Sequence, residues 1–322
     1  MGFRVEKISK RVGAEWVLRD IEFAVERGEV FGILGEQFSG KSTLMDILSG
    51  RVSPTLGKFG FTDDNGDIQS KPKTIKQAQV AQSRERTFLE KIGITSLHRV
   101  RNDIFTLLEV LKSNPEVLLI DGGLGMLDDD DRERFSLALR QWCAERGAVA
   151  IVATRNFDDI ALTCDRATIL DRTYQVQTGS PKEIYQAPKT VKTAILTGAV
   201  NLLAARRTSS TKVDNPVFHL IDGPIDIIAR PTPNADLGPI NQNVNLMIRP
   251  ESVSISFGAS FPEDNLLKGR IESIDFRGPF TYLNLDCEGL KIRANVPKVV
   301  GLDVGEECMI GLPPDRIHVL KS

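Results

Sequence analysis

The chain has 322 residues, 41% apolar and 26% charged, which suits a soluble globular protein with a sizeable core, and its length suggests about two domains. Its 41 basic and 43 acidic residues leave a net charge of −2, so no global field draws it to nucleic acid or to an anionic membrane surface. The four cysteines (Cys143, Cys164, Cys287, Cys308) show no C-x-x-C spacing, which fits reduced thiols better than a disulfide framework or a zinc site.

Residues 3–34 alternate apolar and polar side chains, as at Ile21, Phe23 and Val25. They predict antiparallel strands feeding a buried strand, Val30-Phe-Gly-Ile-Leu34. The next stretch is Gly35-Glu-Gln-Phe-Ser-Gly40-Lys41-Ser42-Thr43, followed by the helical run Leu44-Met-Asp-Ile-Leu48. This is G-x-x-x-x-G-K-[ST] between a strand and a helix, the context of a phosphate-binding loop. Gly35 and Gly40 let the backbone curl so that successive N–H groups point inward, and the helix dipole adds positive potential. Lys41 would reach the outer phosphates and the Ser42 hydroxyl would ligate Mg²⁺. A plain Gly-rich turn with a surface lysine leaves the Lys-Ser pair after the second glycine unexplained.

Residues 51–75 are rich in Gly, Asp, Lys and Pro with weak periodicity. A helix is expected over 74–92 and another over 97–112, the latter stopped by Asn114-Pro115. Val117-Leu-Leu-Ile-Asp121 is an apolar strand ending in an acid. Beside a phosphate loop such an Asp holds Mg²⁺, often through water; elsewhere it simply caps a turn. The acidic run 128–131 opens a helix over 132–146 with the stripe Phe135, Leu139, Trp142, Cys143, and capping explains it better than metal binding. Strands are expected at 148–153 and 167–170, giving a mostly parallel sheet with helices on both faces. After about residue 192 short strands follow at 217–221, 225–229, 244–249, 253–257, 270–276, 280–286, 290–296 and 317–320. They predict a second, all-β domain of small-barrel type, without a catalytic dyad or the aromatic and basic interleaving of a nucleic-acid-binding barrel.

With these motifs in hand, the sequence resembles the ATPase subunit of an ABC-type importer. Gly35–Thr43 is similar to the family's phosphate loop, and Leu118-Leu-Ile-Asp-Gly-Gly-Leu-Gly-Met-Leu-Asp128 to its second nucleotide motif and the loop after it. Arg249-Pro-Glu-Ser-Val-Ser-Ile255 and the later strands resemble the C-terminal TOBE barrel domain of importers for sugars, polyamines, ferric iron and oxyanions. Gly198-Ala-Val-Asn-Leu-Leu203 looks closer to the polyamine and iron branch. The resemblance implies an α/β nucleotide-binding domain over about 1–195 with a truncated helical subdomain, then an OB-like β-barrel domain over about 196–322. It implies Mg-ATP held by Gly35, Gly40, Lys41, Ser42, Thr43 and Asp121. It also implies membrane permease subunits as partners, a second ATPase subunit, a binding protein indirectly, and a place on the cytoplasmic face of the membrane.

The chain also departs from the family's pattern. The catalytic Glu that follows the strand-end Asp is Gly122, and the switch His falls on Arg155. The adenine-stacking aromatic falls on Val12, which predicts modest affinity and poor discrimination between ATP and GTP. The signature motif falls on Leu97-His-Arg-Val-Arg101, where only the leucine matches, and the stretch from Lys41 to Leu97 is short. Gln82 is the candidate for the glutamine loop. The resemblance thus predicts binding without efficient hydrolysis and pairing with a competent paralogue, or a catalytically silent structural or regulatory subunit. No catalytic residue is assigned.

Overall fold

The computed structural model describes residues 2–70, 72, 74–78, 114–208, 216–229, 239–257, 264–297 and 301–321. The chain divides into two compact units, Met1–Gln186 and Ala187–Ser322.

In the first unit Phe3–Val12 (β1) and Glu15–Val25 (β2) form an antiparallel hairpin, and Val30–Gly35 (β3) leads into the helix Lys41–Leu48 (α1). Leu56–Thr62 (β4) and Ile68–Ser70 (β5) then extend the hairpin into a sheet of order β2-β1-β4-β5. These strands lie where the sequence showed only weak periodicity. Phe59 and Phe61, two residues apart on β4, pack on Phe3 with ring centroids 6.1 and 5.8 Å away.

Ile75–Ala78 (β6), Val117–Asp121 (β7), Val149–Thr154 (β8) and Arg166–Asp171 (β9) join β3 in a parallel sheet. Tyr174–Gly179 (β10) closes its edge antiparallel to β9, giving the order β10-β9-β3-β8-β7-β6. The start of the helix expected over 74–92 is corrected here, because Ile75–Ala78 is a strand. Its pairing with β7, from Ile75↔Val117 to Ala78↔Ile120, satisfies backbone groups that β7 would otherwise leave open. The remainder of that helix and the helix expected over 97–112 lie outside the described residues.

Successive side chains of a strand point to opposite faces, and both faces of β3 are buried. Phe31 and Ile33 join one core with α1 and the antiparallel sheet. Gly32 points the other way, where a Cβ would lie 2.5 Å from Ile160 Cδ1 and 2.9 Å from Ala167 Cβ. Ile160 belongs to the short helix Phe157–Thr163 (here α3), which follows Asp129–Arg146 (α2) in the chain. The acidic run is a cap, as its composition suggests: Asp128 Oδ1 accepts from Asp131 N at 2.8 Å. Phe135, Leu139, Trp142 and Cys143 form the buried stripe of α2, and Gly147 (φ 60°) ends it.

After Pro181–Gln186 (α4), the second unit opens with Val191–Thr197 (α5). Its strands are Asn201–Arg207 (β11), Val217–Leu220 (β12), Asp226–Ile228 (β13), Asn243–Ile248 (β14) and Ser254–Ser256 (β15). Asn265–Phe276 (β16), Thr281–Cys287 (β17), Leu290–Val296 (β18), Glu307–Leu312 (β19) and His318–Lys321 (β20) complete them. They make two antiparallel sheets, β13-β12-β11-β14-β20 and β15-β19-β16-β17-β18, around one hydrophobic core. Buried Arg249 donates to the carbonyls of Ala194, Gly198 and Ala199 and to Thr197 Oγ1, so its guanidinium closes the C-terminal end of α5.

Candidate functional site

The C-terminal ends of β3, β7 and β8 meet at one cleft of about 1080 Å³, the place where open α/β sheets bind ligands. The register brings its parts level: Leu34 pairs with Thr154, and Asp121 with Ala153.

The loop after β3 depends on both glycines. A Cβ on Gly35 would lie 2.4 Å from Ser39 Oγ and 2.6 Å from Leu170 O. Gly40 has φ 94°, and its Cβ would lie 2.5 Å from Leu18 Cδ2. Between them Phe38 holds φ 64° with its ring 90% exposed, an uncommon backbone for a bulky residue. Lys41 Nζ, 9% exposed, donates to Gly35 O (2.8 Å), Glu36 O (2.7 Å) and Ser39 Oγ (3.1 Å). Burial, and after it the charge of Arg155, lower its pKa to about 8, with Asp121 and Glu36 opposing both.

Asp121 stands at the tip of β7, where burial raises its carboxyl above the usual carboxylate range. The Ser42 hydroxyl donates to it and partly offsets this, and Asp46 pushes its pKa up again. Ser42, Thr43 and Asp121 all face the cleft. Gly122 follows with φ 74° and Gly123 with φ 96°, and Gly122 N donates to Ala153 O at 2.8 Å. Arg155, exposed just beyond β8, lines the same cleft. The structure therefore brings together Gly40, Lys41, Ser42, Thr43, Asp121, Gly122 and Arg155. Gln82 and the segment 97–101 lie outside the described residues.

Trp16 also lines the cleft, and the sequence reading missed it. Val12 ends β1 opposite Glu15 and is 59% exposed, whereas Trp16 sits one pair further along the hairpin, opposite Arg11. Its ring carries Arg11 at 5.8 Å and Arg19 at 5.6 Å. The signal was present: one of only two tryptophans stands in the hairpin that precedes the loop.

A glycine loop with a buried lysine, a serine bonded to a strand-end aspartate and a parallel sheet define a phosphate-loop nucleotide-binding protein. Comparison with known families resolves it further. Residues 18–140 match the ABC transporter family and residues 246–320 the TOBE domain. The chain thus carries an ABC transporter domain and, C-terminal to it, a TOBE domain. It is 27% identical to the molybdate/tungstate import ATP-binding protein WtpC of Pyrococcus horikoshii, covering 98% of this chain and 99% of that protein. It is 22% identical to the spermidine/putrescine import ATP-binding protein PotA of Clostridium acetobutylicum, with 99% and 96% covered. Against the Fe(3+) ions import ATP-binding protein FbpC 2 of Haemophilus influenzae the identity is 23%, over 89% and 88%.

Proposed function

We propose that this chain is the ATP-binding subunit of an ABC importer whose own site holds Mg-ATP without turning it over efficiently. Three relatives named for three different cargoes support the importer role and leave the cargo open. Membrane permease subunits would carry it to the cytoplasmic face; among the described residues no helix is long and apolar enough to cross a membrane.

The binding half of the reading rests on the Ser42–Asp121 contact. A hydroxyl and a carboxylate at the loop's helix end are the hard oxygen donors Mg²⁺ takes beside phosphates, and a buried carboxylate of raised pKa gains most from a cation. Mg²⁺ there would neutralise charge on the outer phosphates. Lys41 would bind the same phosphates, and the amides around Gly35, Gly40 and Thr43 would cradle them.

The other half rests on Gly122. No side chain at this position can take a proton from water, and a general base contributes roughly 10²–10⁴ in rate. The guanidinium of Arg155 offers only N–H donors and cannot replace it. We infer pairing with a competent paralogue, in which this chain's site acts as a long-lived clamp. The left-handed backbone at Gly122 and Gly123 equally favours a silent structural or regulatory subunit, so the two readings must be separated by experiment.

Calorimetry with Mg-ATP tests the first half: wild type binds and Lys41→Ala weakens binding, whereas folded protein that binds nothing sinks the reading. Purified protein should hydrolyse ATP no faster than background. Co-purification with permease subunits and turnover by that complex favour the paired importer; an assembled complex without turnover favours the silent subunit.

A further inference from the structure

The strand order sets different neighbours against the two flanks of the phosphate loop. β8 and β7 lie on one side of β3 and carry Arg155 and Asp121 to the cleft. β9 lies on the other side, with Leu170 level with Gly35, and the turn after it brings Arg172 and Thr173 to the same cleft. Arg19 N donates to Thr173 O at 2.8 Å, which binds this turn to β2 three residues past Trp16. Arg172 therefore stands on the flank of Trp16, not on that of Asp121.

Arginine is an uncommon residue for this place. Arg172 holds φ 53° in the two-residue turn between β9 and β10, where Asn, Asp or Gly is the ordinary choice. Its side chain is exposed, and among the described residues its guanidinium makes no hydrogen bond or ion pair. The neighbouring arginines are committed. Arg19 Nη1 donates to Tyr174 Oη at 2.8 Å, and its guanidinium lies 5.6 Å from both the Trp16 and the Tyr174 ring. Arg11 lies on Trp16 too, and its Nε donates to Ala14 O at 3.2 Å. Glu15 lines this flank and Asp171 precedes Arg172, so three guanidinium groups gather here against two carboxylates.

A base stacked on Trp16 and 5′ phosphates seated at Lys41 leave the ribose between them, and a neutral sugar gives Arg172 no charge to meet. We propose that Arg172 is a specificity-determining residue that binds a second phosphate, one carried on the ribose. The site would then take a nucleotide phosphorylated on two sugar positions ahead of the plain 5′ nucleotide. This rests on the phosphate-loop reading above. A planar guanidinium gives a phosphate two parallel N–H bonds, and a strained turn that holds an unpaired arginine in a cleft is where such a contact belongs. In a site without a hydrolytic base, this ligand acts as a regulator.

The test compares GDP with guanosine 5′-diphosphate 3′-diphosphate, which differ only in the phosphates on the 3′ position. Both are titrated with Mg²⁺ at one ionic strength, by calorimetry on the full chain. Wild type should bind the 3′-phosphorylated nucleotide about tenfold or more tightly, the scale of a charge-assisted hydrogen bond. Arg172→Asn suits the left-handed backbone, so it should fold, keep GDP binding and lose the preference. Arg172→Lys should keep part of it, since it keeps the charge but loses the fork. Arg155→Ala removes an equal charge from the opposite flank and should leave the ratio as in wild type. Equal constants for the two nucleotides in wild type, a preference that survives Arg172→Asn, or equal losses on both overturn this inference and leave nucleotide binding intact. A folded wild-type chain that binds neither nucleotide overturns both.

Discussion

The hydroxyl of Ser42 donates to the carboxylate of Asp121, joining the first turn of α1 to the tip of β7. That bond links the two sequence motifs in space and couples metal binding to the loop. Asp121→Asn keeps the shape and removes the charge. Its expected effect is loss of the Mg²⁺-dependent part of ATP affinity, read by calorimetry with and without Mg²⁺. The apo fold should become slightly more stable, because a carboxylate that burial disfavours has been neutralised. An Mg²⁺ enhancement as large as in wild type counts against the assignment.

Lys41 sets a pH window. Phosphate selects the protonated amine, so Mg-ATP affinity should be full below about pH 8 and fall above it, by at most about tenfold per unit. The apo fold responds in the opposite direction. Its buried charge is unfavourable, so stability rises from about pH 8 toward pH 10.5, where the folded chain has lost a proton that the unfolded chain still holds. Calorimetry across this range should show the fall in wild type and a flat profile in Lys41→Met.

Trp16 provides an optical signal. Trp142 is buried on α2, so nucleotide should quench Trp16 alone. Trp142→Phe should keep the response and Trp16→Phe should lose it. Trp16→Ala should weaken ATP by about 1–3 kcal/mol, the range for a base stacked on an aromatic ring. Every base has a π-face, so similar constants for ATP and GTP remain the expectation. Quenching that persists in Trp16→Phe removes this residue from the base site.

Gly122→Glu has room, since a Cβ there meets nothing within 4 Å, but φ is 74°. The variant should fold, lose about 1–2 kcal/mol in chemical denaturation, and gain no turnover. A turnover of about one per second by the unmodified chain, abolished by Lys41→Ala, would refute the degenerate-site reading, whereas the same rate in Gly122→Glu alone would make this position the whole of the defect.

Much of this was legible in the chain because it is local. The phosphate loop, β7 and α2 with its acidic cap each declare themselves within a dozen or so residues. What stayed hidden depends on pairing between distant segments. Ile75–Ala78 reads as the start of a helix until β7 supplies its partner. β4 reads as a polar loop until Phe59 and Phe61 meet Phe3. Trp16 enters the cleft because the β1–β2 hairpin folds it there, one pair beyond Val12. The identity of Gly122 was plain, but its left-handed backbone was not, since glycine adopts either sign of φ.

That backbone works as a ratchet on the lineage. With Gly122 and Gly123 both left-handed, a mutation that put an acid after Asp121 would find room for the side chain but a main chain that a side chain disfavours. Selection would meet a less stable protein first, with no hydrolysis to offset the loss. The turn must be remodelled before the acid is useful, and a remodelled turn has no advantage until the acid is there. Each half of the reversal obstructs the other, so a site that has entered this conformation is held away from catalysis by its own main chain.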